Sequence, residues 1–291
     1  MTVRRSVRVR AFAKINLTLR LLGVRADQYH ELRTTFQSIA LHDTLTFTAA
    51  PGPFRIECDD PACPSDRRNL IWHAAERMWR VASRGAAPRD VVVRVAKRIP
   101  TQAGLGGGSS DAASTLRALD ALWRVRMSRE RMRSIASEVG ADVPFFLEGG
   151  TALGLERGDL LFPLLDAPAS WVVLAIPDFG VSTSEAYGWL DRDRKTVSLR
   201  RRQAEVSAGN DLQAVVSRRH PEIRRLIDAL TRRGASNAAL SGSGSAVFGL
   251  FGSRAAAASA ARALASPTRR MVVTRTLDRA RYARLARVVT M

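Results

Sequence analysis

Cysteine is scarce in the sequence, which limits the metal sites and disulfides the chain can form. Only Cys58 and Cys63 occur in 291 residues. A structural zinc site usually needs four Cys or His ligands at close spacing, and only His73 follows this pair nearby. We therefore expect no metal site and no disulfide at these cysteines, with both thiols free in a loop or in the core, and we assign no residue as a metal ligand.

Long hydrophobic runs are also lacking. The apolar stretches are short, as at residues 171–176, and none approaches the roughly 18 residues needed to span a bilayer. The first ten residues carry several arginines, but no apolar segment follows them as it does in a secretory signal. We therefore expect a cytoplasmic protein without membrane contact.

Lysine is scarce although the formal net charge is +19, since only Lys14, Lys97 and Lys195 stand among 46 basic residues. The charge alone would suit a nucleic-acid-binding protein, whose affinity would fall steeply with salt. The arginines are scattered along the chain, however, so a compositional bias explains them equally well. A positive field would also attract anionic small molecules. A lysine retained in such a chain indicates a position that needs a compact ammonium group.

Hydrophobic periodicity predicts a mixture of strands and helices. Alternation over residues 7–19 and 44–48 predicts strands, as do the β-branched residues at 91–95. The other predicted elements are a helix at 69–82, a helix capped by Ser109 or Ser110, a helix from Ser128 to Gly140, a strand at 171–176, an exposed charged connector at 192–205, helices at 221–233 and 255–265, and strands at 246–251 and 271–276. No regular strand–helix–strand rhythm is present, which favours an α+β fold.

The composition turns polar near residues 160–205, which indicates a domain boundary there. We predict two domains, at residues 1–165 and 166–291.

The strongest local signal is the glycine-rich segment PTQAGLGGGSSD at residues 100–111, between a predicted strand and a predicted helix. Glycines let the backbone approach a ligand closely, and N–H groups at a helix N-terminus attract anions. The hydroxyls of Ser109 and Ser110 can add contacts to a phosphate. No Gly-Lys-Ser/Thr follows as in a Walker A loop, and the G-x-G-x-x-G of a Rossmann turn is not matched.

This segment resembles the ATP-phosphate loop of the GHMP kinases, a superfamily of small-molecule kinases. The resemblance implies a cleft for ATP and Mg²⁺ between an N-terminal α+β domain and a C-terminal ferredoxin-like α+β domain. It also implies which residues bind ATP, namely Asn69, Lys97, Pro100, Ala103, Gly104, Leu105, Gly106, Gly107, Gly108, Ser109 and Ser110.

Four further segments occur in the expected order: the first two match a signature of one branch of the superfamily, the third resembles the segment that carries the catalytic aspartate, and the fourth resembles the third superfamily motif. They are AKINL at 13–17, RADQYHEL at 25–32, GADVPFF at 140–146 and LSGSGS at 240–245. The branch phosphorylates a cytidine-diphosphate-linked methylerythritol on the non-mevalonate route to isoprenoid precursors. One position departs from the branch pattern, because Gln28 stands where a glycine is usual. If that position needs a positive φ, Gln28 shifts the turn that carries the next two residues.

Within these segments Lys14 and Asp142 are the predicted catalytic residues. Phosphoryl transfer needs positioning and charge neutralisation more than covalent chemistry, so a lysine can steady the transferring group. An aspartate held in a turn can accept the proton of the attacking hydroxyl or orient that hydroxyl. The predicted substrate-binding residues are Asn16, Tyr29, His30, Thr183 and Tyr187.

Two alternatives remain from the sequence. One is a GHMP kinase for another small alcohol, such as homoserine, a sugar or a mevalonate-like molecule, although that enzyme would not need rings for stacking on a pyrimidine. The other is the nucleic-acid-binding protein suggested by the charge alone. We expect no specific nucleic acid partner, and either a monomer or a homodimer.

Overall fold

The computed structural model describes residues 5–25, 30–83, 85, 87–196 and 209–291. In chain order these residues form strands and helices β1 (Ser6–Val24), β2 (His30–Pro53), β3 (Arg55–Cys58), α1 (Leu70–Val81), β4 (Arg89–Ala96), α2 (Gly107–Trp123), α3 (Arg129–Val139), α4 (Phe145–Glu148), β5 (Thr151–Leu155), β6 (Leu160–Pro163), β7 (Trp171–Pro177), α5 (Thr183–Thr196), α6 (Gln213–Arg219), α7 (Pro221–Arg232), β8 (Asn237–Leu240), β9 (Val247–Phe251), α8 (Arg254–Ala263), β10 (Arg269–Arg275), α9 (Arg279–Leu285) and β11 (Val289–Thr290). In this part of the chain no helix is both long and apolar enough to cross a membrane.

The first sheet has seven strands in the order β11-β1-β2-β4-β3, with β5 also pairing with β2 and β6 with β5. Its core is formed by apolar side chains of the strands and of α1 to α4, including Phe47, Ile71, Leu116 and Phe145. The alternating residues Val7, Val9 and Ala11 of β1 contribute to this core, as their period-two spacing predicts.

The second sheet has four antiparallel strands in the order β10-β7-β9-β8. Its strands and helices follow the chain order of a ferredoxin-like unit, with helices after β7 and after β9 and a direct connection from β8 to β9. The helices α5, α6, α7 and α8 contribute to the core on this sheet. The α+β class and the ferredoxin-like second unit are therefore confirmed.

A third apolar cluster joins the two sheets and contains Ile15, Ile39, Leu174 and Phe248. The last strand, β11, returns to pair with β1 at the edge of the first sheet. The division between residues 165 and 166 stays a prediction. It assigns β11 to the second domain, although β11 pairs with β1 of the first sheet.

Two local predictions were wrong. The helix after the glycine segment begins at Gly107, and its N-cap is Gly106 with a φ of 71° and no side-chain cap. Ser109 and Ser110 lie inside the first turn because the loop reaches the helix through a left-handed glycine. The predicted connector at 192–205 begins later, since residues 192–196 belong to α5. Its remaining residues lie outside the described part of the chain.

Candidate active site

The glycine segment is held between the two sheets by its own apolar side chains. Ala103 and Leu105 are buried in the cluster shared by the sheets, so this part of the loop presents backbone to the cleft. Gly104 and Gly106 both have a φ of 71°, which favours glycine. A Cβ at Gly104 would lie 1.9 Å from the carbonyl oxygen of Ser241, so only glycine allows the loop to approach that turn.

A buried ion network anchors both ends of the loop. The Lys97 ammonium lies 2.6 Å from a carboxylate oxygen of Asp43 and 2.6 Å from one of Asp111, and all three side chains are buried. Asp43 also accepts hydrogen bonds from the backbone N–H groups of Arg98 and Ile99, at 2.5 and 2.8 Å. Asp43 therefore fixes the chain that enters the loop, and Asp111 ties the helix that leaves it.

The charges of this network determine its protonation. Burial would lower the pKa of Lys97, but the charges of Asp111 and Asp43 outweigh it and raise that pKa, so the ammonium stays charged. Burial raises the pKa of Asp111 from 3.8 to about 8, against the opposing charge of Lys97. Its Oδ1 atom is buried without a hydrogen-bond partner in the described residues, which favours the neutral acid. The network therefore keeps Lys97 charged, and burial shifts Asp111 toward the neutral acid.

Lys14 and Asn16 lie on the helix side of the first sheet, just beyond a point where the pairing of β1 with β2 is irregular. The register with β2 shifts between Phe12 and Lys14. Before the shift, odd-numbered residues such as Val9 pack in the core of the first sheet; after it, Ile15 packs in the cluster that joins the sheets. From the Phe12–His42 pair to the Lys14–Ser38 pair the register advances two residues on β1 and four on β2, and beyond this irregularity Lys14 lies over the ring of Phe36, a residue of the first core.

Lys14 is the centre of the candidate site. Its Nζ atom donates to Asn16 Oδ1 at 2.6 Å and to the Gly104 carbonyl at 3.0 Å, and lies 3.4 Å from Asp142 Oδ2. Asn16 in turn donates from Nδ2 to the Thr34 hydroxyl at 2.7 Å. The Lys14 side chain is only 5% exposed, so it is held in one position between the glycine loop and Asp142.

Asp142 lies in the turn between α3 and α4, and its side chain is 33% exposed. Three carboxylates of described residues line the cleft, and Asp111 and Asp191 are paired with Lys97 and His30. Among the described residues, Asp142 has only the longer contact to Lys14, and its carboxylate thus keeps oxygen atoms available to a ligand. Burial, together with the charge of Asp142, raises the pKa of the Tyr187 phenol, which therefore stays protonated.

The turn at residues 240–245 closes against the loop from the second sheet. The Ser241 hydroxyl donates to the Gly104 carbonyl at 2.9 Å, and Ala246 N–H donates to the Ala103 carbonyl at 3.1 Å. Asn210 supports the turn by donating to the carbonyls of Leu240 and Gly242, both at 2.8 Å. Asn210 is not among the predicted site residues because no pattern in the sequence links it to this turn.

Helix α5 contributes the other wall. Thr183 is the first residue of α5, and its hydroxyl oxygen lies 3.4 Å from the hydroxyl oxygen of Ser243. Tyr187 packs on the ring of His30, with ring centroids 4.6 Å apart. His30 Nε2 lies 2.9 Å from Asp191 Oδ1. The neighbouring Tyr29 lies outside the described residues.

These elements surround one cleft of about 990 Å³. The predicted site residues that line it are Lys14, Asn16, His30, Asn69, Lys97, Pro100, Ala103, Gly104, Leu105, Gly106, Gly107, Gly108, Ser109, Asp142, Thr183 and Tyr187. Ser110 differs, because its side chain is fully buried and its hydroxyl donates to the Phe12 carbonyl at 2.7 Å. Asn69 lines the cleft, but its amide caps α1 and donates to the Pro64 carbonyl.

Two family models match the chain. The model "GHMP kinases N terminal domain" matches residues 69–150, and the model "GHMP kinases C terminal" matches residues 193–269. Together they include the glycine loop, the Asp142 turn and the turn at 240–245.

Curated relatives match almost the whole chain. The 4-diphosphocytidyl-2-C-methyl-D-erythritol kinase of Moorella thermoacetica is 40% identical over 282 residues, which are 92% of this chain and 98% of the relative. The kinase of the same name from Solibacter usitatus is 43% identical over 270 residues, which are 87% and 84% of the two chains.

Solved structures with the same fold include a kinase of the same name. The crystal structure of a 4-(cytidine 5'-diphospho)-2C-methyl-D-erythritol kinase superposes with a TM-score of 0.74 at 33% identity, over 92% of this chain and 98% of that one. A homoserine kinase from Cytophaga hutchinsonii superposes with a TM-score of 0.72 at 18% identity, over 100% and 99% of the two chains, and thus shares the fold.

Proposed function

The chain belongs to the GHMP kinases and, within them, to the 4-diphosphocytidyl-2-C-methyl-D-erythritol kinases; we propose that its cleft transfers the γ-phosphoryl group of ATP to the 2-hydroxyl of 4-diphosphocytidyl-2-C-methyl-D-erythritol. The products are the 2-phosphate and ADP, in the non-mevalonate route to isoprenoid precursors. One observation carries the proposal: a single cleft contains Lys14, Asp142, the glycine loop and the His30–Tyr187 ring pair.

The proposed reaction is an in-line displacement at the γ-phosphorus. The substrate hydroxyl attacks, its proton passes to the Asp142 carboxylate, and the bond to the ADP oxygen breaks. Such a transition state gains most from positioning and from neutralised charge. The Lys14 ammonium, 3.4 Å from Asp142 and hydrogen-bonded to Gly104, can serve both the carboxylate and the transferring group.

The glycine loop is suited to the phosphates of ATP. Its backbone leads directly into the N-terminus of α2, where N–H groups and the helix dipole attract negative charge. Ser109 lines the cleft beside this end and can add a hydroxyl contact. Asn69 and Lys97 lie in the same cleft, and we propose that they form part of the wall around the nucleotide.

Magnesium is part of the proposed reaction because it neutralises phosphate charge. The described residues contain no group of three or more His, Cys, Asp or Glu suited to hold a metal ion. Mg²⁺ commonly takes most of its oxygen ligands from water and from substrate phosphates, with one or two carboxylates from protein. In this cleft the Ser109 hydroxyl would supply a protein contact to the ion, which leaves the Asp142 carboxylate to accept the proton.

The cytidine end of the substrate fits the wall formed by His30 and Tyr187. Both are half-buried ring-bearing residues of the same cleft, and aromatic rings stack readily on a pyrimidine. We propose that Thr183 contacts a phosphate of the substrate and that Asn16, besides orienting Lys14, lies near the polyol. Tyr29 remains a proposed stacking residue.

Thermal protection tests this function without relying on turnover. A ligand that binds only the folded state raises the stability, by about 2.7 kcal/mol at a hundredfold excess over Kd. CMP, CDP and ATP–Mg²⁺ should each raise Tm by several degrees, whereas homoserine, galactose and mevalonate should not. Protection by one of those alcohols, and none by CMP or CDP, would contradict the proposed substrate.

Because the reaction consumes ATP, we also propose that it takes place in the cytoplasm. Whether the chain acts as a monomer or a homodimer stays a prediction that light scattering can test.

A further inference from the structure

Helix α5 holds the His30 ring by two contacts made one helical turn apart. Tyr187 and Asp191 are separated by four residues, a spacing that puts two side chains on the same helix face. Tyr187 packs on the ring of His30, and Asp191 Oδ1 lies 2.9 Å from His30 Nε2. The His30 side chain is 11% exposed, so the ring has little freedom to turn away from these partners.

The contact with Asp191 determines which nitrogen of His30 carries the proton. A carboxylate only accepts hydrogen bonds, so Nε2 is the donor, and in the neutral ring Nδ1 is then an acceptor. No other hydrogen bond to the His30 ring is formed by the described residues. The acceptor Nδ1 thus belongs to a ring that lines the cleft and is available to a ligand there.

We propose that Asp191 is a positioning residue for base specificity: it fixes the Nε2–H tautomer of His30, so that Nδ1 accepts a hydrogen bond from the exocyclic amino group of a cytosine. The hydrogen-bonding edge of cytosine offers one donor, that amino group, and an acceptor nitrogen pairs with it. Uracil carries a carbonyl at the same position. Its oxygen and His30 Nδ1 would both be acceptors, so no hydrogen bond could form between them. Sites that hydrogen-bond a substrate group reject analogues that lack it because buried polar groups are then left unpaired.

This inference deepens the proposed function and rests on it. It adds that a carboxylate on a helix of the second sheet controls the chemistry of a histidine on the first. The Asp191 side chain is 46% exposed, so solvent weakens the contact and a moderate effect is expected. The main consequence of the contact between Asp191 and His30 is the choice of tautomer and ring orientation. Carboxylates orient metal-binding histidines in the same way.

The test compares Asp191→Ala, Asp191→Asn and the control Asp193→Ala. Asp193 lies on the same helix but pairs with Arg218 and Arg219, and it does not line the cleft. The Kd of CMP and of UMP is measured for each variant by calorimetry, with the KM of ATP beside it. Long-range ¹⁵N–¹H spectra report the His30 tautomer directly, and a His30→Gln variant assigns the signal among the four histidines.

In Asp191→Ala we expect the Kd of CMP to rise roughly five- to tenfold, the preference for CMP over UMP to shrink, and the KM of ATP to stay within about twofold. Asp191→Asn retains an acceptor oxygen and should recover most of the affinity, and Asp193→Ala should behave as the wild type. The wild-type spectrum should show the Nε2–H tautomer, and Asp191→Ala should lose it.

An Nδ1–H tautomer in the wild type, or an Asp191→Ala variant with unchanged CMP affinity and CMP/UMP preference, would overturn the inference. Failure of the proposed function looks different, since the wild type would then bind neither CMP nor CDP. That result would also remove cytosine as the ligand of His30, whatever its tautomer.

Discussion

The Lys14 ammonium lies 3.4 Å from the Asp142 carboxylate and 3.0 Å from the Gly104 carbonyl. One buried cation thus contacts both the proposed proton acceptor and the loop proposed to hold ATP. Lys14 takes this position just beyond the irregular pairing of β1 with β2, on the face that carries Phe36. The catalytic proposal depends on this relationship.

Removal of either charge should stop turnover more than binding. We expect Lys14→Ala and Asp142→Asn each to lower kcat by roughly 10²- to 10⁴-fold, the range reported for single acid–base and electrostatic groups. The KM of ATP should change little, since the loop holds the phosphates through its backbone. Steady-state kinetics measure both constants, and ATP-dependent thermal protection shows that each variant is folded. A variant that turns over nearly as fast as the wild type does not carry the catalytic role.

The close approach of the loop to the 240–245 turn predicts contrasting effects of two glycine substitutions. Gly104→Ala introduces a Cβ 1.9 Å from the Ser241 carbonyl at a positive φ, and should lower Tm strongly or prevent folding. In Gly108→Ala the new Cβ meets only Leu70 Cδ1 at 3.7 Å within a helix, so stability should rise by up to about 1 kcal/mol. Thermal denaturation compares the two. Equal Tm values would contradict the geometry of the loop.

Asp43 should be essential to the stability of the loop although it does not line the cleft. Asp43→Ala leaves the Lys97 ammonium and the N–H groups of Arg98 and Ile99 without this partner. We expect a loss of about 3–5 kcal/mol, the usual cost of breaking a buried ion pair from one side. Asp59→Ala is the matched control, since Asp59 also accepts a backbone hydrogen bond, from Lys97 N–H, but is half exposed.

The control should lose only about 1 kcal/mol. Urea denaturation measures both free energies of unfolding. Similar losses in the two variants would show that the buried network does not stabilise the loop.

The raised pKa of Asp111 predicts a pH dependence of stability with a definite sign. Its pKa is about 8 in the folded chain and 3.8 ordinarily, so between these values the folded state binds more protons than the unfolded state. The free energy of unfolding contributed by this group therefore falls as pH rises from about 4 to about 8. Asp111→Asn resembles the neutral acid and should remove this contribution. Urea denaturation across that pH range should then give a flatter profile than the wild type, and an unchanged profile would contradict the assignment.

Much of the fold could be predicted because short stretches of sequence determine many of its helices and strands. The period-two pattern of β1, the spacing of α1 and the apolar run at 171–176 each identified their element, and the helices predicted from Asn69 and from Ser128 begin directly after these residues. The start of α2 could not be predicted, because a left-handed glycine rather than a serine precedes it. The geometry of the loop outweighed the preference of serine for the N-cap position.

The candidate site divides in a similar way. Short motifs brought Lys14, Asp142 and the loop to attention before any contact was known. The residues that support them were missed because their partners are far along the chain. Asp43 left a weak signal, a carboxylate inside an apolar strand, whereas Asn210 and Asp191 gave none. Sequence patterns thus indicate the groups that carry the chemistry better than the groups that position them.

The most direct test of the central claim is a coupled ADP-release assay with ATP–Mg²⁺ and 4-diphosphocytidyl-2-C-methyl-D-erythritol, run beside homoserine, galactose and mevalonate. We expect turnover on the cytidyl substrate alone, lost in Asp142→Asn, with the phosphate on the 2-hydroxyl of the product. Turnover on another alcohol and none on the cytidyl substrate would contradict the proposed substrate while leaving the kinase fold and the ATP site in place.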